Sequence, residues 1–391
     1  MTIDLTRARA ETPGTRHVAH FNNAGAALPP QPVIDAVAGH LALEARIGGY
    51  EAAARNAAAV ERTYDAVAAL LNCGRDEVAL VESATVAWDA AFAALAFGPG
   101  DRILTARAEY AANLIPFLQT VRRSGAAVEV IPNDEHGRTS PEALEAMIDG
   151  RVRLIAVTHI PTNGGLVNPA AAIGRVARRH GIPYLLDACQ TVGQMPLDVE
   201  EIGCDFLSAT GRKFLRGPRG TGFLYVRRRW LEAGIEPHLL DLHGARLVAA
   251  DRYEMRPDAR RFELWESNVA ARIGLGVAVD YALSWGLAAI RERAFALADG
   301  LRARLAGLPG AVLHDLGVER CAIVTFTLDG VAPQRIKAAL GAQGINLSVS
   351  TAPSTRLDMD ARGLTEVVRA SPHYYNSEDE VERLVAALHA L

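Results

Sequence analysis

Nowhere in the sequence is there a run of about 18 apolar residues, which excludes a conventional membrane-spanning helix. The first twenty residues, MTIDLTRARAETPGTRHVAH, lack the apolar core of a secretory signal, so none is expected. Cysteine is scarce: Cys73, Cys189, Cys204 and Cys321 lie far apart, with neither the C-x-x-C spacing of a zinc or redox site nor the density of a disulfide scaffold. A reducing cytoplasm is the expected compartment, and no metal site is indicated. Charge of one sign is also missing. The 41 basic and 45 acidic residues are well mixed and leave a net charge of −4, so no basic face is offered to nucleic acid or to an anionic membrane. Chemistry on a small molecule becomes the expectation.

What is present is a chain of 391 residues, half of them apolar, enough to bury a large core. From 77 to about 226, short β-rich runs alternate with amphipathic helical stretches: VALVE, a helix through Trp88, RILTA, a helix from Ala111, VEVIP, RLIAVTH, a helix through Ala177, and PYLLDA. That alternation predicts βαβ units and a mostly parallel sheet, with CDFLSA (204–209) and GFLYV (222–226) as further strands. Beyond about 270 the pattern changes to two long helical stretches (270–285 and 287–306), then AIVTFTL, GINLSVS and EVVRAS among helices. The expected organisation is a flexible N-terminal arm at 1–20, a large α/β domain at 21–270 with a helical N-terminal segment, and a small C-terminal α+β domain at 271–391.

The sharpest feature is DACQ (187–190), at the end of a predicted strand, followed by SATGRKFLRGPRGTG (208–222), a loop crowded with Gly, Arg and Lys between two strands. Pyridoxal 5′-phosphate (PLP) chemistry explains the pairing. A lysine amine, Lys213, forms an imine with the cofactor aldehyde, and an acid, Asp187, keeps the pyridine nitrogen protonated so that the ring accepts electrons. The phosphate needs donors, for which Thr210 and Arg212 qualify, together with Ser83 and Thr85 ahead of a helix whose N-terminus favours anions.

Seven segments in order, FNNAGAALPP (21–30), VESATVAWDAA (81–91), EYAANLIPF (109–117), THIPTNGGLVNP (158–169), LLDACQ (185–190), TGRKFLRGPRGTGFLYV (210–226) and VVRASPHYYNSEDE (367–380), resemble the class V aminotransferase-fold PLP enzymes. That superfamily includes cysteine desulfurases, selenocysteine lyases, isopenicillin N epimerase-like proteins and hercynylcysteine sulfoxide lyases. The resemblance covers nearly the whole chain. It implies the PLP-dependent transferase fold type I, a seven-stranded sheet domain with a smaller C-terminal domain, and a homodimer. It also implies an amino-acid substrate. By the same resemblance Asp187 partners the pyridine nitrogen, Gln190 donates to the phenolic oxygen, Tyr110 stacks on the ring where relatives often carry His, and Arg369 binds the substrate carboxylate. Ala84 joins Ser83 and Thr85 at the cofactor, Thr162 and Asn163 lie near it, and Asn23 and Tyr50, with Arg55 close by, touch substrate.

The departures are informative. Relatives commonly read S-G-H-K at the lysine, whereas here Thr210-Gly211-Arg212-Lys213 puts a fixed positive charge in the phosphate cup. Where many desulfurases carry a G-T pair that reaches the neighbouring subunit's phosphate, RFELWESN places Trp265-Glu266. The segment that carries a desulfurase's persulfide-forming cysteine reads TAPSTRLDMDARGLTE, without cysteine. The missing loop cysteine and the RFELWESN and SATVAWD variants resemble hercynylcysteine sulfoxide lyase-like members and imply β-elimination at an S-substituted cysteine or its sulfoxide. Epimerisation or transamination is the alternative, and a non-catalytic regulator is disfavoured by the intact Lys213 and Asp187. His159, His243 and His373 have no partner in sequence that would assign them acid–base roles.

Overall fold

The computed structural model describes residues 2–391. Its centre is a seven-stranded sheet made of β1 (Val78–Val81), β2 (Arg102–Thr105), β3 (Ala127–Val130), β4 (Val152–Thr158), β5 (Tyr184–Asp187), β6 (Phe206–Thr210) and β7 (Gly222–Val226). The order is β1-β7-β6-β5-β4-β2-β3, with only β7 antiparallel to its neighbours. Strands β5 (YLLD) and β6 (FLSAT) are buried at every residue, as expected of strands covered by helices on both faces. This is the α/β, fold type I architecture expected from the sequence.

Helices α1 (Gln31–Ile47) and α2 (Ala57–Leu71) lie N-terminal to the sheet, while α3 (Ala84–Ala93) and α4 (Ala111–Ser124) follow β1 and β2. Ser83 caps α3 by accepting the Val86 N–H at 3.2 Å. Gly125, at φ 75°, ends α4 in the left-handed region that glycine tolerates.

The boundary expected at 270 falls elsewhere. Helix α5 (Val269–Trp285) packs on α1 and α2, and its Leu275 and Val279 belong to the large domain's core. A methyl group on Gly274 would come within 2.5 Å of Val37, and one on Gly276 within 2.4 Å of Thr63, so the small residues of α5 permit that close approach. Only past Gly286, where the chain bends by 80°, does α6 (Leu287–Ala306) carry it into the second core. There β8 (Ala311–Leu313), β9 (Val324–Leu328), β10 (Ser348–Thr351) and β11 (Glu366–Ala370) form a sheet in the order β8-β9-β11-β10. Ala19 and Phe21 join this core, and Ala19–His20 pairs with Ile345–Asn346. No single helix among the described residues is long and apolar enough to cross a membrane.

The expected flexible arm is instead packed down. Asp4 caps a helix at Leu5–Ala10, Ala8 is fully buried, Arg9 pairs with Glu380 at 2.9 Å, and Arg216 donates to Thr12 Oγ1 at 2.6 Å. Arg216 is itself buried and extends over the rings of Tyr281, Tyr374 and Tyr375. It thereby ties the arm to the loop that carries Lys213.

Candidate functional site: a lysine-bearing cavity at the strand ends

In an open parallel sheet, ligands bind beyond the carboxyl ends of the strands. A cavity of about 270 Å³ lies there, lined by Thr158 at the end of β4, Asp187 at the end of β5 and Thr210 at the end of β6. Lys213 enters from the loop after β6. Of the residues predicted from sequence, Ser83, Ala84, Thr85, Tyr110, Thr162, Asp187, Gln190, Thr210, Arg212, Lys213 and Arg369 all line this one cavity.

Burial sets the chemistry of the wall. It lowers the pKa of Lys213, with the cations of Arg212 and Arg369 acting in the same direction and Cys189 and Asp187 opposing. That favours the free amine an imine-forming lysine needs. The Lys213 amine stands 6.0 Å from the centre of the Tyr110 ring. Asp187 is held at both oxygens: the Cys189 N–H donates to Oδ1 at 2.8 Å and Asn113 donates to Oδ2 at 2.9 Å. Arg369 donates to Thr162 Oγ1 at 2.5 Å, and although burial draws its pKa down to about 10, it stays cationic at neutral pH. Arg212 donates to the Gly25 carbonyl and Thr210 to the Thr221 carbonyl, and all four residues line the cavity.

Two buried polar atoms here have no protein partner, Gln190 Oε1 and Arg369 Nε. The Gln190 amide nitrogen donates instead to Ala24 O at 3.1 Å. Unsatisfied buried groups are costly and mark a place where a polar ligand completes the wall. The N-terminus of α3, the guanidinium groups of Arg212 and Arg369, an imine-competent lysine and a carboxylate fit PLP: anion donors for its phosphate, an amine for its aldehyde and an acid for its ring nitrogen.

Three expected residues lie elsewhere. Asn23 is fully buried, but its amide donates to His20 O and Ser371 O while its oxygen accepts from Tyr375, so the side chain is spent on joining the chain ends; its neighbours Ala24 and Gly25 line the cavity instead. Asn163 turns away from the cavity, donating to Thr355 Oγ1 at 2.6 Å and Ser354 Oγ at 3.0 Å. Tyr50 is 75 % exposed and lines a separate groove with Trp265 and Glu266, remote from the lysine. Arg55 is exposed on the same short helix.

Of the histidines, His159 and His373 are buried outside the cavity, their pKa values lowered by burial to about 4 and about 3, while His243 lines the groove near Trp265. Sequence reasoning missed Glu82, Asn113, Thr158, Ser208 and Thr221 on the cavity wall, and Glu109 behind it. Cys189 also lines the cavity, where burial and the adjacent Asp187 push its thiol well above the ordinary value.

The fold and this site define a PLP-dependent enzyme of fold type I. The chain belongs to the aminotransferase class-V family, whose model matches residues 19–384. A probable cysteine desulfurase of Xylella fastidiosa is 32 % identical over 98 % of this chain and 95 % of its own length. The apo structure of a cysteine desulfurase from Thermococcus onnurineus superposes with a TM-score of 0.92 at 26 % identity, covering 100 % of this chain and 98 % of that one. The enzyme C-DES, in a form with glycine covalently linked to its PLP cofactor, has the same fold at 23 % identity and a TM-score of 0.87, over 97 % of this chain and 98 % of that one.

Proposed function

We propose that this enzyme cleaves the carbon–sulfur bond of an S-substituted cysteine, or of its sulfoxide, by β-elimination. The observation that carries the reading is the segment 352–361. It contains no cysteine and folds as a 3-10 turn (Ala352–Thr355) followed by a helix (Arg356–Ala361). Asn163 secures the turn, and the Asp358–Arg362 pair at 3.0 Å braces the helix end. The desulfurase name of its relatives supports carbon–sulfur chemistry, while the missing loop cysteine argues against a persulfide relay from that segment. Cys189 is a poor substitute, because burial suppresses the thiolate that sulfur transfer requires.

When bound, PLP supplies an electron sink that acidifies the substrate α-carbon. Ser83, Thr85, Thr210, Arg212 and the first amides of α3 would hold its phosphate, Tyr110 would cover its ring, and Asp187 would keep the ring nitrogen protonated. Arg369 takes the substrate carboxylate with a guanidinium otherwise bonded only weakly, at 3.4 Å to Asn22, beyond its contacts to Thr162. Lys213 removes the α-proton. The Cβ–S bond then breaks with its electron pair leaving on sulfur, and hydrolysis of the aminoacrylate product releases pyruvate and ammonia.

The test is product analysis with S-alkyl cysteines and their sulfoxides. Pyruvate and a thiol or sulfenic acid in equal amounts support the reading. Alanine with enzyme-bound sulfur would assign desulfuration instead, and an inverted α-carbon or an aminated acceptor would assign epimerisation or transamination.

We also infer a homodimer. Leu239, Leu242, Leu247, Tyr253, Leu264 and Trp265 are exposed along one stretch of chain, and exposed apolar side chains of this kind support a subunit contact there. Light scattering that returns a monomer would contradict this.

A further inference from the structure

Glu109 ends the turn between β2 and α4, is fully buried, and does not line the cavity. A carboxylate without solvent is tolerated only if its oxygens are satisfied, and here five donors converge on it. Oε1 accepts from Thr158 Oγ1 at 2.5 Å, Asn113 Nδ2 at 2.7 Å and the Tyr110 N–H at 3.0 Å; Oε2 accepts from Thr105 Oγ1 and the Thr158 N–H, both at 3.1 Å. Two of these donors lead to the site. Asn113 donates from the same amide nitrogen to Glu109 at 2.7 Å and to Asp187 Oδ2 at 2.9 Å. The reverse orientation of that amide would face its oxygen to two carboxylates, so chemistry fixes which end is nitrogen. The second donor is the backbone of Tyr110, whose ring stands over Lys213.

We propose that Glu109 is a positioning residue of the PLP site: through Asn113 it aims the carboxylate of Asp187, and through the Tyr110 backbone it sets the ring that covers the cavity. The inference rests on the roles given above to Asp187 and Tyr110. A carboxylate that only stabilised the strand ends would need Thr105 and Thr158, but not an amide shared with a second carboxylate. Partners one layer behind a reactive group typically change affinity or rate by about 10- to 100-fold when removed.

The experiment uses Glu109→Gln, Asn113→Ala and the double variant. In Glu109→Gln one oxygen becomes a donor amid donors, which disturbs the network that holds Asn113 and the Tyr110 backbone. In Asn113→Ala the other four contacts of Glu109 survive and only the link to Asp187 is cut. Affinity of the apo-proteins for PLP is measured by equilibrium dialysis, the visible spectrum of the bound cofactor is recorded, and kcat is separated from KM. Each single variant is expected to weaken PLP binding and lower kcat by roughly 10- to 100-fold, with KM changed less than about threefold and a shifted cofactor spectrum. The double variant should be no worse than the worse single one, because Asn113→Ala cuts a route that Glu109→Gln already disturbs. Wild-type PLP affinity and spectrum in Asn113→Ala overturn the proposal, as do fully additive losses. If Glu109→Gln does not fold, Asn113→Ala decides alone. A wild-type protein that does not bind PLP would instead overturn the site assignment, and this inference with it.

Discussion

Gly193 offers a test of how the Lys213 loop is held. It lies in the turn after β5, at φ 86°, against the backbone of the loop: a methyl group there would sit 2.3 Å from Leu215 N, 2.4 Å from Phe214 C and 2.5 Å from Leu215 Cα. These are main-chain atoms, and Phe214 and Leu215 are each only 1 % exposed, so no flexible side chain can yield. Restoring van der Waals separation moves the loop or the turn by about 1 Å. Holding alanine at positive φ costs about 1–2 kcal/mol, and overpacking a tight interior costs about 1–3 kcal/mol. Gly193→Ala is therefore expected to lower stability by about 2–5 kcal/mol in urea denaturation. Because Lys213 immediately precedes Phe214, it should also cost on the order of a hundredfold in turnover, as misplacement of a reacting group by about 1 Å does. A Gly193→Ala protein with wild-type urea midpoint and turnover would refute the packing argument.

Three further outcomes follow. Arg369→Met should raise KM for amino-acid substrates about a hundredfold while leaving cofactor retention intact, consistent with a charged hydrogen-bonded pair of about 3 kcal/mol; an unchanged KM assigns the carboxylate to another group. Arg216→Met should destabilise the fold by about 3 kcal/mol or more and raise protease sensitivity within residues 5–16, since the bonds to Leu28, Thr12 and Tyr374 are lost together; wild-type stability contradicts the pinned arm. Burial holds His159 and His373 neutral down to about 4 and about 3, below the ordinary 6.5 of the unfolded chain. They contribute stability above pH 6.5 that is lost as acid protonates the unfolded state. Glu109, raised to about 7, pulls the other way over part of that range. The urea midpoint should still fall between about pH 6.5 and 4.5, and less steeply in His159→Gln; equal slopes would contradict this account.

Much of the site was legible because chemistry with few solutions was written into strand ends. Asp187 terminates a fully buried strand and Lys213 sits in a glycine-rich loop, positions that a parallel sheet delivers to one edge. Composition carried a further signal: only two of the 41 basic residues, Lys213 and Lys337, are lysines, and an arginine-rich chain still needs lysine where a neutral amine is required. Side-chain direction was less legible. Asn23 and Ala24 are adjacent, yet one closes a backbone junction and the other lines the cavity, because the partners that decide, Ser371 and Tyr375, are some 350 positions away. The same holds for the arm, whose polar composition suggests mobility until Arg216 and Glu380 are in place. Glu109 and Asn113 were missed although they stand only four residues apart, Glu109 just ahead of α4 and Asn113 in its first turn; what gives the pair meaning is Asp187, which only the sheet brings near.

In the proposed reaction Lys213 drives carbon–sulfur β-elimination on bound PLP. The most direct measurement incubates the PLP-loaded protein and its Lys213→Ala variant with an S-alkyl cysteine sulfoxide and quantifies pyruvate, ammonia and alanine over time. Pyruvate and ammonia are expected in equal amounts from the wild type, with none above background from the variant. Alanine without pyruvate, or pyruvate that persists in Lys213→Ala, would contradict it.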